Sequence, residues 1–552
     1  MDASAAVKKA NSTEMDIEPV DYAAKLQMNS MKEGLTEILL DDFEASAVIS
    51  DTTFDPKERL EAIIKRVKNE YTFNMPNYKI DKKFFEKVKN REEDARLLFD
   101  SLRNAQVVGD AFENIEMSFY GKAGYRAILL RSCYFDLFEL ILDSLQIPHD
   151  NYWHLILGSP GIGKSWFHVF CLYVLIQADV PVYIQRQGYS TLFFKDEAYR
   201  CLVKDLEGNM LRRSNIWHLY DRKEPPLGMP PKNICVVVSS PRVTSYEDYK
   251  KLCHFGILFM PLWSFAEVSK ANLLRFPKSL ILSQATLKER FRICGGIARH
   301  IFDDFRIYKK EYKPAVKNIS RSDFIIINQK QIDKVTHKVF GLSVSESYLD
   351  YEIIFLSKHL ADEFVDHMKT NTELTLAALL HEVLDNNSAS LAGYIYEREG
   401  IRRLASGYQL DLESLSFPNM MVEKFVLPDV VHKYEFAGKS LDKVVWDSKY
   451  STLWDPENSK FPCIDCLLLV PGEEVNIALG FQFTISDAHP VVRKPLAKII
   501  ELCESMGYTF RLVFVLSAKK NYEGFGKQRQ KDEKGNVCEE EIPCPQHKMK
   551  MF

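Results

Sequence analysis

Hydrophobic and polar positions divide the chain into stretches of different period. From Asp55 to about Ser132 the text is rich in charge, and Leu60, Ile63, Ile64 and Val67 fall on one helical face. The pattern sharpens at residue 133. CYFDLFELILDSLQ reads as a helix stopped before Pro148, and NYWHLILG as a short buried strand running directly into SPGIGKS. SWFHVFCLYVLIQ then reads as a helix ended by Pro181, and PVYIQ as a second strand. Strand, glycine turn, helix, strand is the opening of a parallel α/β unit. STLFF, NIWHLYD, NICVVVSS and FGILFMPLW predict further strands, and helical stretches follow around 265–274 and 286–302.

Between residues 310 and 385, charged and apolar positions alternate at helical spacing (Ile354, Phe355, Leu360, Phe364, Val365), which predicts a helical linker or lid. From about 390 a helix gives way to short strands. KFPCIDCLLLVPGEEVNIALGFQFTIS reads as a hairpin with PGEE at its turn; a helix over 492–506 and the strand RLVFVLS complete this last unit. No internal repeat is visible.

Composition narrows the class. At about 150 residues per domain, 552 residues predict three to four domains. Lys and Arg total 72 against 76 Asp and Glu, so the overall charge would not hold the chain on nucleic acid; any such contact needs a local basic patch. Eleven cysteines are too sparse for a disulfide scaffold, and Cys171, Cys235 and Cys294 sit in apolar runs as small core residues. The first residues lack the apolar core of a secretory signal, and no apolar run approaches membrane-spanning length. A soluble intracellular protein is expected, with residues 1–55 partly disordered.

The residues Gly158, Ser159, Pro160, Gly161, Ile162, Gly163, Lys164 and Ser165 fit G-x-x-x-x-G-K-[ST] without a mismatch. Glycines let backbone N–H groups turn inward on phosphates, and the helix start adds partial positive charge. Lys164 would reach the terminal phosphates of a nucleoside triphosphate such as ATP, and the Ser165 hydroxyl would ligate Mg²⁺. Such a site wants a carboxylate at the end of a neighbouring strand, and Asp221 closes NIWHLYD. Arg222, Lys223 and only then Glu224 follow, so nucleotide binding is better supported than fast hydrolysis. Ser239 or Ser240, ending ICVVVSS, could sense the γ-phosphate or simply close a Ser-Pro turn. Gly295 and Gly296 lie between two helices, with Arg299 placed to reach the phosphates.

Taken in order, GSPGIGKSWF, IWHLYD, VVVSSPR, FMPLWSFAEV, ERFRICGGIARHIF and FPCIDCLLL…GFQFTISDAHPV resemble the Crinkler and retrotransposon-hot-spot proteins over roughly residues 130 to 530. The resemblance implies a multidomain α/β chain. A helical N-terminal region (1–132) precedes a parallel-sheet P-loop NTPase (133–308), a helical lid (309–388) and a smaller restriction-endonuclease-like domain (389–552). The leading Leu-x-Leu-Phe-Leu-Ala-Lys translocation motif of Crinklers does not occur, so export into a host is not expected.

A nuclease of that fold places a helix glutamate, a strand aspartate and Glu/Gln-x-Lys around Mg²⁺. The resemblance implies Glu397, Asp465, Gln482 and Thr484 in those places, with Asp465 as metal ligand alongside Ser165 and Asp221 of the first site. Strand alternation puts Gln482 and Thr484 on one face. Thr484 stands where the pattern has lysine, and Lys494 or Lys498 is a substitute. Lys519, Lys520, Lys527 and Arg529, with Tyr522 and Phe525 between, would grip a phosphate backbone or form a solvated loop. Cys463, Cys466, Cys538, Cys544 and His547 offer a zinc alternative, weakened because strand alternation would turn Cys463 and Cys466 to opposite sides. His381-Glu382 lacks the second histidine of a zinc protease.

The function expected is ATP binding, with hydrolysis, coupled to Mg²⁺-dependent binding or cleavage of DNA in preference to RNA. The nucleus is slightly favoured over the cytoplasm, and no membrane partner is expected. The alternative is a non-catalytic nucleotide switch that binds chromatin or a protein partner, self-association included. A nucleotide kinase is a third, weaker reading.

Overall fold

The computed structural model describes residues 55–71, 85–87, 94–120, 127–146, 152–186, 189–195, 197–201, 216–221, 234–241, 256–275, 277–320, 323, 337–370, 389–407, 409–415, 422–427, 432–436, 450–456, 463–472, 475–484, 491–517, 525, 527–531 and 537–551. Residues 1–54, Arg222, Lys223, Glu224, His381, Glu382, His489, Pro490, Lys519, Lys520 and Tyr522 lie outside the described residues.

The first large sheet contains β1 (Tyr152–Leu157), β2 (Val182–Arg186), β3 (Tyr189–Phe194), β4 (Glu197–Cys201), β5 (Trp217–Asp221), β6 (Ile234–Ser239) and β7 (Gly256–Phe259). The order is β4-β3-β2-β5-β6-β1-β7, with a short strand, Phe85–Lys87, beyond β4. The strands β2-β5-β6-β1-β7 are all parallel, while β3, β4 and Phe85–Lys87 pair antiparallel at one edge. β1 and β6 are buried along nearly their whole length, as central parallel strands covered on both faces must be.

Helices α1 (Pro56–Tyr71), α2 (Asp94–Arg103) and α3 (Ser132–Leu145) pack on α4 (Lys164–Gln177), which follows the glycine turn. α4 is apolar all round, and every residue from Phe167 to Ile176 is buried. A helix of that kind needs cover on its outer side as well as a sheet beneath it. The N-terminal helices supply it, so the region with no motif of its own is the roof over the glycine-loop helix.

α5 (Phe265–Leu273), α6 (Gln284–Cys294), α7 (Ala298–Phe302) and α8 (Phe305–Lys317) come next, with the glycine pair separating α6 from α7 as the sequence predicts. The stretch read as helical throughout holds a β-hairpin, β8 (Phe340–Val344) with β9 (Tyr351–Phe355), before α9 (Lys358–Thr370). Ile354 and Phe355 therefore sit in a strand, and only Leu360, Phe364 and Val365 share the helix. A short apolar run satisfies both periods when read locally.

The second large sheet follows α10 (Ala389–Ala405). Its strands are β10 (Gln409–Ser414), β11 (Glu423–Val426), β12 (His432–Phe436), β13 (Thr452–Pro456), β14 (Cys466–Val470), β15 (Asn476–Thr484), β16 (Tyr508–Ser517) and β17 (Gln546–Met551). The order is β11-β10-β17-β16-β15-β14-β13-β12. β14 and β15 form the antiparallel hairpin expected around PGEE, and α11 (Arg493–Ser505) returns the chain so that β16 runs parallel to β15. Among the described residues no helix is long and apolar enough to cross a membrane.

Two histidines inside the first sheet predict its acid sensitivity. Burial lowers His154, 3.1 Å from the Ser144 hydroxyl, to about 4. Burial likewise lowers His218, 3.2 Å from the Tyr220 hydroxyl, to about 3. Both stay neutral in the fold while the unfolded chain takes up protons below about pH 6.5. Their contribution is complete above that pH and is lost as pH falls toward the folded values. Between about pH 7 and pH 5, each should cost about 2 kcal/mol of stability. Denaturant unfolding at the two pH values should show His218→Gln losing less stability than the wild type.

Candidate functional site

The glycine turn leaves β1 at Leu157 and enters α4 at Lys164, at the carboxyl ends of the parallel strands, where open α/β sheets bind ligands. Gly161 has φ +87° and Gly163 φ +102°, which glycine alone adopts at no cost. A Cβ on Gly161 would lie 2.8 Å from the Arg299 Cβ, and one on Gly163 would lie 2.7 Å from the Tyr134 hydroxyl. The loop's carbonyls are held from behind. Tyr134 donates to Gly163 O at 3.1 Å, Trp263 Nε1 to Ile162 O at 2.6 Å and Arg131 Nη1 to Ile162 O at 3.3 Å. Arg131 is itself buried and ion-paired with Glu267 at 2.8 Å. None of these supports is visible in the loop motif, although Trp263 lies within FMPLWSFAEV.

Lys164 Nζ donates to Gly158 O at 2.7 Å and Ser159 O at 2.9 Å, so the ammonium folds over the loop. Burial lowers it to about 7, with Asp221 opposing the shift and Arg299 adding to it. The Ser165 hydroxyl donates to Asp221 Oδ2 at 2.8 Å, joining the first turn of α4 to the end of β5 across the intervening β6. A hydroxyl and a carboxylate adjacent at a helix start are two oxygen ligands that suit Mg²⁺, which takes its remaining ligands from water and phosphate. Ser239 ends β6 in register with Leu157, in the same row of strand ends. Arg299 is exposed, and its backbone N–H donates to Gly161 O at 3.2 Å, which sets α7 directly on the loop. Pro160 and Ser159 complete the turn, the Ser159 hydroxyl being buried without a hydrogen-bond partner.

The glycine pair has its own constraint. Gly295 has φ +59° and ψ −148°, and a Cβ there would lie 1.8 Å from Leu356 O. A Cβ on Gly296 would meet Trp263 O at 2.4 Å. Gly295→Ala should therefore combine backbone strain with a main-chain clash and destabilise by more than about 2 kcal/mol. A thermal melt would show this as a drop of several degrees.

The second cluster lies where α9 and α10 meet β13, β14 and β15. Asp465 immediately precedes β14, with its N–H on Phe481 O at 2.7 Å. Its Oδ2 accepts from Gln482 Nε2 at 2.8 Å and from Phe483 N at 2.7 Å. Gln482 and Thr484 are buried on one face of β15, while Phe483 on the other lies edge-on to Tyr396 and covers Gly400 of α10. Burial raises Asp465 well above the usual carboxylate range, and the charge of Glu397 adds to it. Glu397 is also raised by burial, against the pull of Lys358 and Arg398. Asp465 and Glu397 thus come together as expected. Lys494 is exposed on the first turn of α11.

Three residues of this cluster carry no signal in the sequence. Asp455 is buried on β13 and takes Arg398 Nη1 at 2.9 Å and Nη2 at 2.8 Å. Lys358, the first residue of α9, lies 2.9 Å from Asp455 Oδ1 and 3.5 Å from Glu397 Oε1. Lys358 is separated from Asp455 by 97 positions, which no spacing rule reveals. Among the described residues no three His, Cys, Asp or Glu side chains converge as a metal ligand set. Glu397 and Asp465 nevertheless meet the protein's usual share of a Mg²⁺ site, one or two carboxylates. Cys463, Cys466 and Cys544 are buried free thiols, and Cys463 has φ +82°.

The structure defines an α/β protein with a glycine loop on one sheet and a buried acidic cluster on another. No family model matches the chain. It is similar to Crinkler effector protein 15 of Phytophthora infestans, 26% identical over 269 residues that cover 46% of this chain and 42% of that protein. It is also similar to Crinkler effector protein 16 of the same organism, 25% identical over 353 residues that cover 61% of this chain and 54% of that protein. The chain spans about half the length of the curated relatives it matches. This distant similarity supports a Crinkler-type family.

Proposed function

We propose that the chain binds a nucleoside triphosphate, ATP, with Mg²⁺ at the glycine loop, and that the bound nucleotide governs Mg²⁺-dependent binding and cleavage of DNA at the Glu397–Asp465 cluster. The observation that carries the reading is the Ser165–Asp221 hydrogen bond beside a Lys164 that lies over two loop carbonyls. These residues have no evident packing reason to meet at the ends of strands. In the proposed complex Lys164 moves from the carbonyls to the β- and γ-phosphates, and Arg299 closes on them from α7. Ser165 and Asp221 hold the ion, which when bound neutralises phosphate charge. Arg222 and Lys223 follow Asp221 where fast nucleotidases have a glutamate, so slow turnover fits better than rapid turnover.

At the second cluster, Glu397 and the part of Asp465 not engaged by Gln482 and Phe483 would hold the ion, which when bound supplies an acidic water and charge neutralisation. Gln482 fixes the aspartate. Hydrolysis adds water oxygen to phosphorus and breaks one phosphate ester bond, leaving a phosphomonoester and a sugar hydroxyl.

The test is an incubation of plasmid and linear DNA with purified chain, Mg²⁺ and ATP. Nicking or linearisation that depends on Asp465 supports the reading. DNA left intact at any stoichiometry means that the second cluster does not cleave. The chain would then act as a nucleotide switch that binds chromatin or a protein partner through this sheet.

A further inference from the structure

We propose that Lys358 is the working cation of the Glu397–Asp465 cluster, supplying from α9 the positive group absent at Thr484. The proposal rests on the reading of that cluster as a site acting on nucleic acid. Its geometry is distinct from an ordinary buried ion pair. Asp455 is already neutralised by two hydrogen bonds from Arg398, so it needs no second cation. Lys358 nonetheless lies 2.9 Å from it and 3.5 Å from Glu397, with only 9% of its side chain exposed. Burying an ammonium is costly unless carboxylates compensate it. Here an ammonium can leave Asp455 without stranding it, since Arg398 remains. It is therefore the mobile charge of the cluster, free to meet a phosphate brought against Glu397 and Asp465.

The position of Lys358 is set from the first sheet. The Ser357 hydroxyl donates to Ile293 O at 3.1 Å, and Leu356 O fills the space where Gly295 would otherwise have a side chain. Gly296 O accepts from Trp263 N at 3.0 Å, and the same tryptophan's indole holds Ile162 O of the glycine loop. The turn that positions Arg299 on the loop is thus the turn that positions Lys358 in the acidic cluster.

The experiment compares Lys358→Met, Lys358→Arg and the control Lys494→Met in the full chain, each also in an Asp221→Ala background that silences the first metal site. Calorimetric titration with Mn²⁺ should show about tenfold tighter binding for Lys358→Met, because a cation close to Glu397 has been removed. Lys358→Arg should keep the wild-type affinity, and so should Lys494→Met. With Asp221 intact, Lys358→Met should lose at least a hundredfold in kcat for DNA cleavage with little change in KM, and Lys358→Arg should recover part of it. Mn²⁺ affinity unchanged by Lys358→Met, or wild-type kcat in that variant, overturns the proposal. If the wild type cleaves no DNA, the reading of the cluster as a nuclease fails, and the Mn²⁺ titration alone then decides whether Lys358 is its cation.

Discussion

Lys164→Ala should abolish the rise in unfolding temperature that Mg²⁺ and ATP produce in the wild-type chain. At a ligand concentration of 100 times Kd, binding to the folded state alone adds about 2.7 kcal/mol, which melts easily detect. The lysine holds two carbonyl oxygens of its own loop at 2.7 and 2.9 Å, within a buried setting that lowers its proton affinity. A triphosphate tail reverses that penalty by offering charge-assisted hydrogen bonds in place of neutral carbonyls. Losing them should weaken nucleotide binding at least a hundredfold, about 3 kcal/mol. The fold should survive, because the loop is also secured by Tyr134, Trp263 and Arg131, none of which contacts the ammonium through these bonds. Lys164→Arg is expected to bind poorly as well, since the larger guanidinium must fit a turn closed by Gly161 and Gly163.

Asp465→Asn should remove DNA cleavage by at least a thousandfold while leaving nucleotide binding unchanged. The substitution keeps the size of the group and an oxygen for Gln482 Nε2 and Phe483 N, the two donors that fix Asp465. It removes the charge, and with it the capacity to hold a divalent ion beside Glu397. It should also make the fold slightly more stable. The carboxylate is raised well above its usual range by burial and by the charge of Glu397, so ionising it costs free energy that asparagine does not spend. A variant that is both less active and more stable is the signature of a residue kept for chemistry. A variant that loses stability with activity would instead mark Asp465 as a structural anchor of β14.

The strands and helices of the first sheet were legible because β1, β5 and β6 are uninterrupted apolar runs bounded by turn residues. The glycine loop was legible because its chemistry is written in consecutive positions. The hairpin at 340–355 was not, since Ile354 and Phe355 satisfy a helical period as readily as an alternating one over so short a run. The N-terminal helices looked featureless for a related reason: their apolar faces show that they pack, but not on what. At the second cluster Glu397, Asp465 and Gln482 were visible only through resemblance, whereas Lys358, Asp455 and Arg398 were invisible. Their meeting depends on how α9 and α10 cross the edge of the sheet, a tertiary fact with no local period. The search for a lysine near Thr484 along the chain led to Lys494, which lies exposed on α11, while the lysine among the carboxylates comes from a helix over a hundred residues earlier.

Isothermal titration of the full chain with ATP in the presence of Mg²⁺ tests the central claim most directly. Saturable heat with one site per chain, lost in Lys164→Ala and reduced in Asp221→Ala, is the predicted result. No heat with ATP or any other common nucleoside triphosphate, or equal heat in the wild type and Lys164→Ala, would contradict it.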